Sequence, residues 1–211
     1  MKRRVIIVGN GTLSDTSLAL MKPQDFIIGV DRAAYWLIRQ GIIPDVAIGD
    51  FDSANKQELR FIKKSIRSIK QYPADKNWTD MELAIEYAIS RNPSEVFIVG
   101  GIGNRHDHTL ATMHLLAKFL DAGISHVMID ETNRIRLIGR GKTVVEKASY
   151  RYVSILPYTK STMLCLSGFR YDVPRTTFIR GTTRGISNEI VGRQAEITIF
   201  SGKAWVVESN D

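Results

Sequence analysis

The feature that most constrains the fold of this chain is a change of sequence pattern near residue 130. Up to that point, short β-branched runs alternate with segments whose apolar residues recur every three or four positions. Beyond residue 134 the helical period is absent, and short strand-like runs are separated by Gly, Pro, Ser and Asn. The pattern predicts a mostly parallel, Rossmann-like α/β domain over residues 1–133 and an antiparallel all-β sandwich or barrel over residues 134–211.

The first domain has six candidate strands and four candidate helices. The strands are Arg4–Val8, Phe26–Val30, Asp45–Gly49, Ser68–Tyr72, Glu95–Gly100 and His126–Ile129, and the helices are Arg32–Gln40, Asn55–Lys64, Thr79–Arg91 and Thr109–Asp121. The second domain has only candidate strands. They are Arg134–Ile138, Thr143–Glu146, Tyr150–Leu156, Met163–Leu166, Thr176–Ile179, Glu196–Phe200 and Ala204–Val207.

Composition limits the classes of partner and the cellular compartment that we expect for this chain. The apolar runs are far shorter than the roughly 20 residues that cross a bilayer, and the run after the basic start is too short for a signal peptide. The net charge of +7 is spread along the chain with no run of four basic residues, whereas nucleic-acid binders usually concentrate such residues. A single cysteine excludes an intrachain disulfide and fits a reducing compartment. We therefore expect a cytoplasmic protein with no membrane or nucleic-acid partner.

Two acidic loops follow neighbouring candidate strands. Asp50 and Asp52 come directly after the third strand, where an extended chain would point both carboxylates the same way. Asp75 and Asp80 follow the fourth strand. Ligands of parallel sheets bind beyond the carboxyl ends of the strands, and carboxylates without His or Cys favour Mg²⁺. Each loop alone is also explained by helix capping.

A glycine-rich turn follows the fifth strand. It reads Gly100-Gly101-Ile102-Gly103-Asn104-Arg105-His106-Asp107-His108 and precedes a helix. Glycines let backbone approach a ligand, helix N-termini offer free N–H groups, and arginine binds phosphate oxygens, so the turn is a candidate phosphate loop. A plain strand-to-helix turn capped by Asp107 is the alternative. We interpret His106 and His108 as surface or capping residues rather than metal ligands.

A second glycine pair, Gly9 and Gly11, follows the first strand. It resembles the opening of a dinucleotide-binding fingerprint, but Ser14 stands where the third glycine belongs. A nicotinamide site is therefore disfavoured.

Four motifs in order resemble the thiamine pyrophosphokinase family. They are Gly49-Asp50-Phe51-Asp52-Ser53, Asp75-Lys76-Asn77-Trp78-Thr79-Asp80, the glycine-rich turn, and Arg184-Gly185-Ile186-Ser187-Asn188-Glu189. The resemblance covers nearly the whole chain. It implies an α/β domain followed by a β-sandwich domain, and transfer of a pyrophosphoryl group from ATP, with Mg²⁺, to the hydroxyl of thiamine, giving thiamine diphosphate and AMP. It also implies a homodimer whose active sites lie between the α/β domain of one subunit and the β domain of the other.

The resemblance also implies roles for particular residues. The implied catalytic residues are Asp50, Asp52, Asp80, Arg105 and Asp107. The implied metal ligands are Asp50, Asp52 and Asp75, and the implied ATP-binding residues are Asp75, Lys76, Thr79, Gly101, Gly103 and Arg105. The implied thiamine-binding residues are Ser187, Asn188 and Trp205. The sequence departs from the family pattern at Asn77, where an acid is usual, at Asn104, where glycine is usual, and at Thr112, where asparagine is common.

The residues themselves, taken without the resemblance, also favour phosphoryl or pyrophosphoryl transfer. Acidic loops that hold a cation beside a glycine turn that holds phosphates supply the positioning and charge neutralisation such a reaction needs. No residue is an obvious strong base, and Asp80 is the candidate to accept the proton of the acceptor hydroxyl. Two alternatives stay open. The first is a Mg²⁺- or Mn²⁺-dependent phosphohydrolase, although Thr109 occupies the position where such an enzyme would have a second histidine. The second is a non-catalytic nucleotide-binding module.

Overall fold

The computed structural model describes residues 3–211, which divide into two compact units. The first extends to Glu131 and the second comprises Thr132–Asp211. Within the described residues, no helix has the length and apolar character that a membrane crossing requires.

The first unit alternates strands and helices throughout. Its strands are β1 (Val5–Val8), β2 (Phe26–Val30), β3 (Val46–Gly49), β4 (Ile69–Gln71), β5 (Glu95–Val99) and β6 (Ser125–Ile129). Its helices are α1 (Asp15–Ala19), α2 (Ala33–Arg39), α3 (Lys56–Ser65), α4 (Asp80–Ser90) and α5 (His106–Asp121).

All strand pairs of the first unit are parallel, in the spatial order β4-β3-β2-β1-β5-β6. Every residue of β1, β2 and β3 is buried, as expected for a parallel sheet with both faces covered. The chain runs outward from β1 to β4 and then returns to place β5 on the other side of β1. The loops after β1 and β5 therefore meet at the switch point of the sheet, where open α/β sheets bind ligands.

The second unit contains strands only. They are β7 (Asn133–Ile138), β8 (Gly141–Glu146), β9 (Tyr152–Pro157), β10 (Ser161–Ser167), β11 (Val173–Ile179), β12 (Gln194–Ser201) and β13 (Ala204–Ser209). They pair antiparallel in two sets, β7-β13-β9 and β11-β10-β12-β8. One apolar core takes residues from both sets, among them Ile155, Val206, Leu164 and Ile197. The unit is thus a sandwich, and the expected fold class is confirmed.

The sequence-based elements differ from the structure in two places that bear on the site. Helix α1 was not predicted, because its five residues, Asp15–Ala19, are too few to show an apolar period. Helix α5 begins at His106 rather than Thr109, and Arg105 occupies its N-cap position. The interpretation of Asp107 as the cap is therefore wrong.

Candidate active site

Three carboxylates meet at the carboxyl edge of the parallel sheet. One oxygen from each of Asp31, Asp50 and Asp52 lies within 4.8 Å of the other two. We call these three residues the acidic cluster. Asp31 was not predicted to belong to the site, whereas Asp50 and Asp52 were.

The pairing of two strands brings Asp31 and Asp50 together. Asp31 follows β2 and Asp50 follows β3, and these strands are parallel neighbours with Val30 opposite Ile48. The amide of Asp31 donates to the Ile48 carbonyl at 2.8 Å. Gly49 permits this approach, because a Cβ at that position would lie 3.1 Å from the Asp31 Cα. The two acids therefore converge because the register aligns the ends of the two strands.

The loop from Asp50 to Asp52 is a tight turn rather than the extended chain we expected. Phe51, between the two acids, has a φ of 61° and is 2% exposed. The amide of Asp52 donates to Asp50 Oδ1 at 3.1 Å, which closes the turn. Such a φ is rare for a bulky residue, so the buried Phe51 ring must stabilise the conformation that holds the acid pair.

Hydrogen bonds to one oxygen of Asp31 fix the orientation of its carboxylate, and the other oxygen has no donor among the described residues. Its Oδ2 accepts hydrogen bonds from Asn10 Nδ2, at 2.9 Å, and from the Ser53 hydroxyl. Its Oδ1 is buried and accepts no hydrogen bond within residues 3–211. The residue is only 5% exposed, and a buried carboxylate oxygen without a donor is costly unless a ligand binds it.

Lys76 joins the two acidic loops. Its ammonium lies 2.6 Å from Asp50 Oδ2 and 2.9 Å from Asp80 Oδ1. Asp80 begins α4, whose N-cap Thr79 accepts a hydrogen bond from the Glu82 amide at 3.2 Å. Asp75, which the resemblance implied as a third metal ligand, is exposed and does not belong to the acidic cluster.

The close carboxylates perturb one another. Burial would raise the pKa of Asp50, but hydrogen bonds from Lys76 and from the Asp52 amide hold it below its ordinary value. The charge of Asp50 raises the pKa of Asp52. Burial raises the pKa of Asp80, although its ion pair with Lys76 acts in the opposite direction. Such divergent shifts among neighbouring carboxyls are typical of sites built for chemistry.

The two glycine loops pack backbone against backbone at the switch point. The Gly11 amide donates to the Gly100 carbonyl at 2.8 Å, and the Thr12 amide donates to the Ile102 carbonyl at 2.7 Å. A Cβ at Gly11 would lie 2.2 Å from the Ile102 oxygen, and one at Gly103 would lie 2.9 Å from the Gly11 Cα. Contact with the second loop therefore explains the pair Gly9 and Gly11 without a dinucleotide.

Arg105 and Asp107 bind each other at the start of α5. Their side chains are both exposed and form an ion pair of 2.6 Å. The hydrogen bond from Arg105 lowers the pKa of Asp107. The glycine turn before them is joined to α5 by the Gly103 amide, which donates a hydrogen bond to Thr109 Oγ1 at 3.2 Å.

The three residues implied in thiamine binding lie in the second unit in different settings. Ser187 is exposed, with a φ of 56°, and its amide donates to Ser154 Oγ at 3.0 Å. Asn188 is buried, and its side chain binds the backbone of Tyr171. Trp205 packs edge-on against Tyr158 with 5.2 Å between ring centroids. Trp205 and Ser154 lie on the same face of β13 and β9, because Leu156 is opposite Trp205 and Ser154 is opposite Val207.

A parallel α/β sheet with clustered carboxylates and a glycine turn at its carboxyl edge suits an enzyme that transfers phosphoryl groups, because cation ligands and phosphate-binding backbone lie at one edge. Family profiles give the particular family. Residues 18–128 match the catalytic domain of thiamin pyrophosphokinase, and residues 142–204 match its vitamin B1 binding domain. The chain belongs to the thiamin pyrophosphokinase family.

Individual relatives agree with the family profiles. The chain is 35% identical to thiamine pyrophosphokinase of Bacillus subtilis (strain 168) over 186 residues, 87% of each chain. The crystal structure of the Bacillus subtilis enzyme superposes with a TM-score of 0.92 at 32% identity, covering 99% of this chain and 100% of that one. The enzyme from Geobacillus thermodenitrificans gives 0.89 at 28% identity, covering 99% and 98%. The chain is therefore an enzyme that transfers a pyrophosphoryl group from ATP to thiamine.

Proposed function

We propose that the transfer occurs at the acidic cluster and that Mg²⁺ bound there is the cofactor. Asp31, Asp50 and Asp52 would hold the ion. The observation that carries this proposal is the buried Asp31 Oδ1, which has no hydrogen-bond donor among the described residues. It belongs to a carboxylate that has one oxygen within 4.8 Å of an oxygen of both Asp50 and Asp52. An all-oxygen donor set suits Mg²⁺ better than Zn²⁺. The ion would neutralise charge on the ATP phosphates. In this proposal Asp31 is the third metal ligand, the role that the resemblance implied for Asp75.

The proposed phosphate contacts come from the loops around the cluster. Gly101 and Gly103 bring backbone close to the ATP phosphates, and Arg105 can exchange its bond to Asp107 for phosphate oxygens. Lys76, Thr79 and Asp75 border the same edge from the loop before α4. These residues mainly position ATP, which is most of what such a reaction requires.

In the proposed reaction, the hydroxyl oxygen of thiamine attacks the β-phosphorus of ATP. The new O–P bond forms as the bond to the α-phosphate oxygen breaks, so AMP leaves and thiamine diphosphate remains. The hydroxyl proton goes to a carboxylate, for which we propose Asp80. Burial raises the pKa of Asp80, which makes this carboxylate a better base than an exposed aspartate.

We propose that thiamine binds on the face of the second unit that carries Trp205. Ser187 borders this face, because its amide is bound to Ser154 Oγ. Its exposed hydroxyl can bind a pyrimidine edge, and the indole of Trp205 can form an aromatic wall. Asn188 positions this loop through the Tyr171 backbone.

We also propose that two chains form a homodimer with active sites at the subunit interface. The support is the family resemblance, together with the separation of the acidic cluster and the thiamine motif into different units. A two-fold dimer would let the α/β unit of each chain meet the β unit of its partner and form two equal sites. Because the reaction consumes ATP, we place it in the cytoplasm.

One assay tests the proposed chemistry against the two alternatives. The chain is incubated with ATP and Mg²⁺, with and without thiamine, and AMP, free phosphate and thiamine diphosphate are quantified. AMP and thiamine diphosphate in equal amounts, formed only with thiamine, are expected. Free phosphate without an acceptor would indicate a phosphohydrolase, and ATP binding without turnover would indicate a nucleotide-binding module.

A further inference from the structure

Lys76 is the only lysine or arginine within salt-bridge distance of the acidic cluster among the described residues. Its side chain is 10% exposed, and its ammonium has three oxygen neighbours. They are Asp50 Oδ2 at 2.6 Å, Asp80 Oδ1 at 2.9 Å and the Pro73 carbonyl at 3.2 Å. The contacts with Asp50 and Pro73 are hydrogen bonds, whereas the contact with Asp80 is an ion pair.

Each oxygen of the Asp50 carboxylate already has one hydrogen-bond donor. Asp50 Oδ2 binds the ammonium, and Asp50 Oδ1 binds the amide of Asp52 at 3.1 Å. A divalent cation at the acidic cluster therefore shares the Asp50 carboxylate with the Lys76 ammonium, whose positive charge opposes its binding. Asp31 differs, because its Oδ1 is buried and has no donor among the described residues.

We propose that Lys76 is the resident counter-cation of the acidic cluster and that it limits the affinity of the cluster for a divalent cation until nucleotide arrives. Phosphate oxygens give the ammonium a second set of partners, so Lys76 leaves Asp50 when ATP binds. Metal ion and nucleotide then strengthen each other's binding, because each removes a competitor of the other. Lys76 is a positioning residue that acts through Asp50. This inference rests on the proposed metal site.

Removing the charge of Lys76 should tighten the binding of a divalent ion at the acidic cluster. A unit charge a few ångströms from a divalent ion costs several-fold to many-fold in affinity at a partly exposed site. Lys76→Met keeps the length of the side chain and removes the charge. In the absence of nucleotide, we expect Lys76→Met to bind Mn²⁺ about tenfold more tightly than the unaltered chain.

The experiment titrates each protein with Mn²⁺ alone and follows the free ion by its paramagnetic resonance signal. Lys118→Met is the matched control, because Lys118 also pairs with two carboxylates, Glu82 at 3.2 Å and Glu86 at 2.5 Å, but does not contact the cluster. Its affinity for Mn²⁺ should be unchanged. Lys76→Arg keeps the charge and should bind Mn²⁺ as weakly as the unaltered chain. Thermal unfolding in EDTA checks that each variant is folded, and Lys76→Gln replaces Lys76→Met if the latter is not.

The double variant Lys76→Met with Asp50→Asn tests whether the effect passes through Asp50. The tightening should be clearly smaller in the Asp50→Asn background, where only the direct repulsion between Lys76 and the ion is left. Unchanged or weaker Mn²⁺ binding in Lys76→Met would overturn the inference and leave the metal site standing. A tightening of undiminished size without the Asp50 charge would do the same. If neither the unaltered chain nor Lys76→Met binds Mn²⁺, the proposed metal site itself is wrong.

Discussion

The carboxamide of Asn188 binds the backbone of Tyr171 on both sides. Its Nδ2 donates to the Tyr171 carbonyl at 2.8 Å, and its Oδ1 accepts from the Tyr171 amide at 3.0 Å. The Glu189 amide also donates to Oδ1, at 3.0 Å. With 3% exposure, the side chain joins two loops of the second unit and has little polar surface left for a substrate.

Asn188→Ala should therefore lower the stability of the second unit. The substitution leaves the amide and carbonyl of Tyr171 without partners in a part-buried setting, and we expect a loss of about 2–3 kcal/mol in the free energy of unfolding. Denaturant titration followed by circular dichroism measures it. Ser187→Ala is the matched neighbour: it should leave the unfolding free energy within about 0.5 kcal/mol and raise the KM for thiamine more than that for ATP. If Asn188→Ala altered only the KM for thiamine, Asn188 would be a thiamine-binding residue rather than a structural one.

Asp31→Asn should reduce turnover as severely as Asp50→Asn. Both changes keep the size of the side chain and remove a charge from the acidic cluster, and we expect turnover to fall by about two orders of magnitude or more. Asp75→Asn removes the same charge from an exposed residue outside the cluster, so it should cost less than about fivefold. Steady-state kinetics measures the turnover of each variant, and circular dichroism checks that each variant is folded. An Asp75→Asn chain as inactive as Asp31→Asn would restore Asp75 as a metal ligand.

The pair of Arg4 and Asp25 should make the first unit sensitive to acid. Arg4 donates to both oxygens of Asp25, at 2.9 and 2.6 Å. Burial alone would raise the pKa of the Asp25 carboxyl, but hydrogen bonds from Arg4 and from the Lys22 amide hold it below its ordinary value of 3.8. A carboxyl with a lowered pKa in the folded state stabilises the protein above about pH 4, and this stabilisation is lost as the pH falls through the folded-state pKa.

The matching variant is Asp25→Asn. At pH 7 it leaves Arg4 without its charged partner and should cost about 3 kcal/mol of unfolding free energy. The difference between Asp25→Asn and the unaltered chain should shrink as the pH is lowered from 5 to 2. A difference that stays constant over this range would show that the charge of Asp25 contributes nothing to stability.

Gly11→Ala should disturb the switch point of the sheet. The added Cβ would lie 2.2 Å from the Ile102 carbonyl oxygen, so one of the two backbones must move, at a cost of about 1–3 kcal/mol in stability. Gly192→Ala is the control, because a Cβ at that position would have no atom within 4 Å apart from those of Gly192 and its two chain neighbours. We also expect a higher KM for ATP in Gly11→Ala, since the displaced loop contains Gly101 and Gly103. Identical unfolding curves for the two variants would contradict this account.

The proposed shared active site can be tested by mixing two inactive chains. Asp50→Asn removes a cluster charge, and Ser187→Arg blocks the exposed end of the thiamine motif. When the two are unfolded together and reassembled, about half of the dimers should be mixed. In these, one site carries both changes and the other carries none, so about a quarter of all sites should work. A mixture that stays inactive, with mixed dimers verified by mass spectrometry, would place both motifs of each site in one chain.

The strand ends were predictable from the sequence, but the membership of the acidic cluster was not. Asp50 and Asp52 were identified because two acids stand together after a strand. Asp31 stands alone between Val30 and Arg32, and only the register of β2 against β3 brings it to Asp50. Its position at the carboxyl end of a buried strand was the available signal. Helix α4 shows the same limit: Thr79 at its start accepts a hydrogen bond from the nearby Glu82 amide, but the Glu82 side chain pairs with Lys118 on another helix.

Phe51 links the stability of the fold to the geometry of the site. Its ring belongs to an apolar cluster with Ala34, Ala47, Ile62 and Ile66, while its backbone separates two carboxylates of the acidic cluster. A substitution in the contact between α2 and α3, such as Ile62→Ala, would loosen the ring and release the backbone strain at Phe51. A substitution in the apolar cluster around Phe51 can therefore impair this enzyme without altering a residue of the acidic cluster. Added Mg²⁺ should partly restore the activity of such a variant.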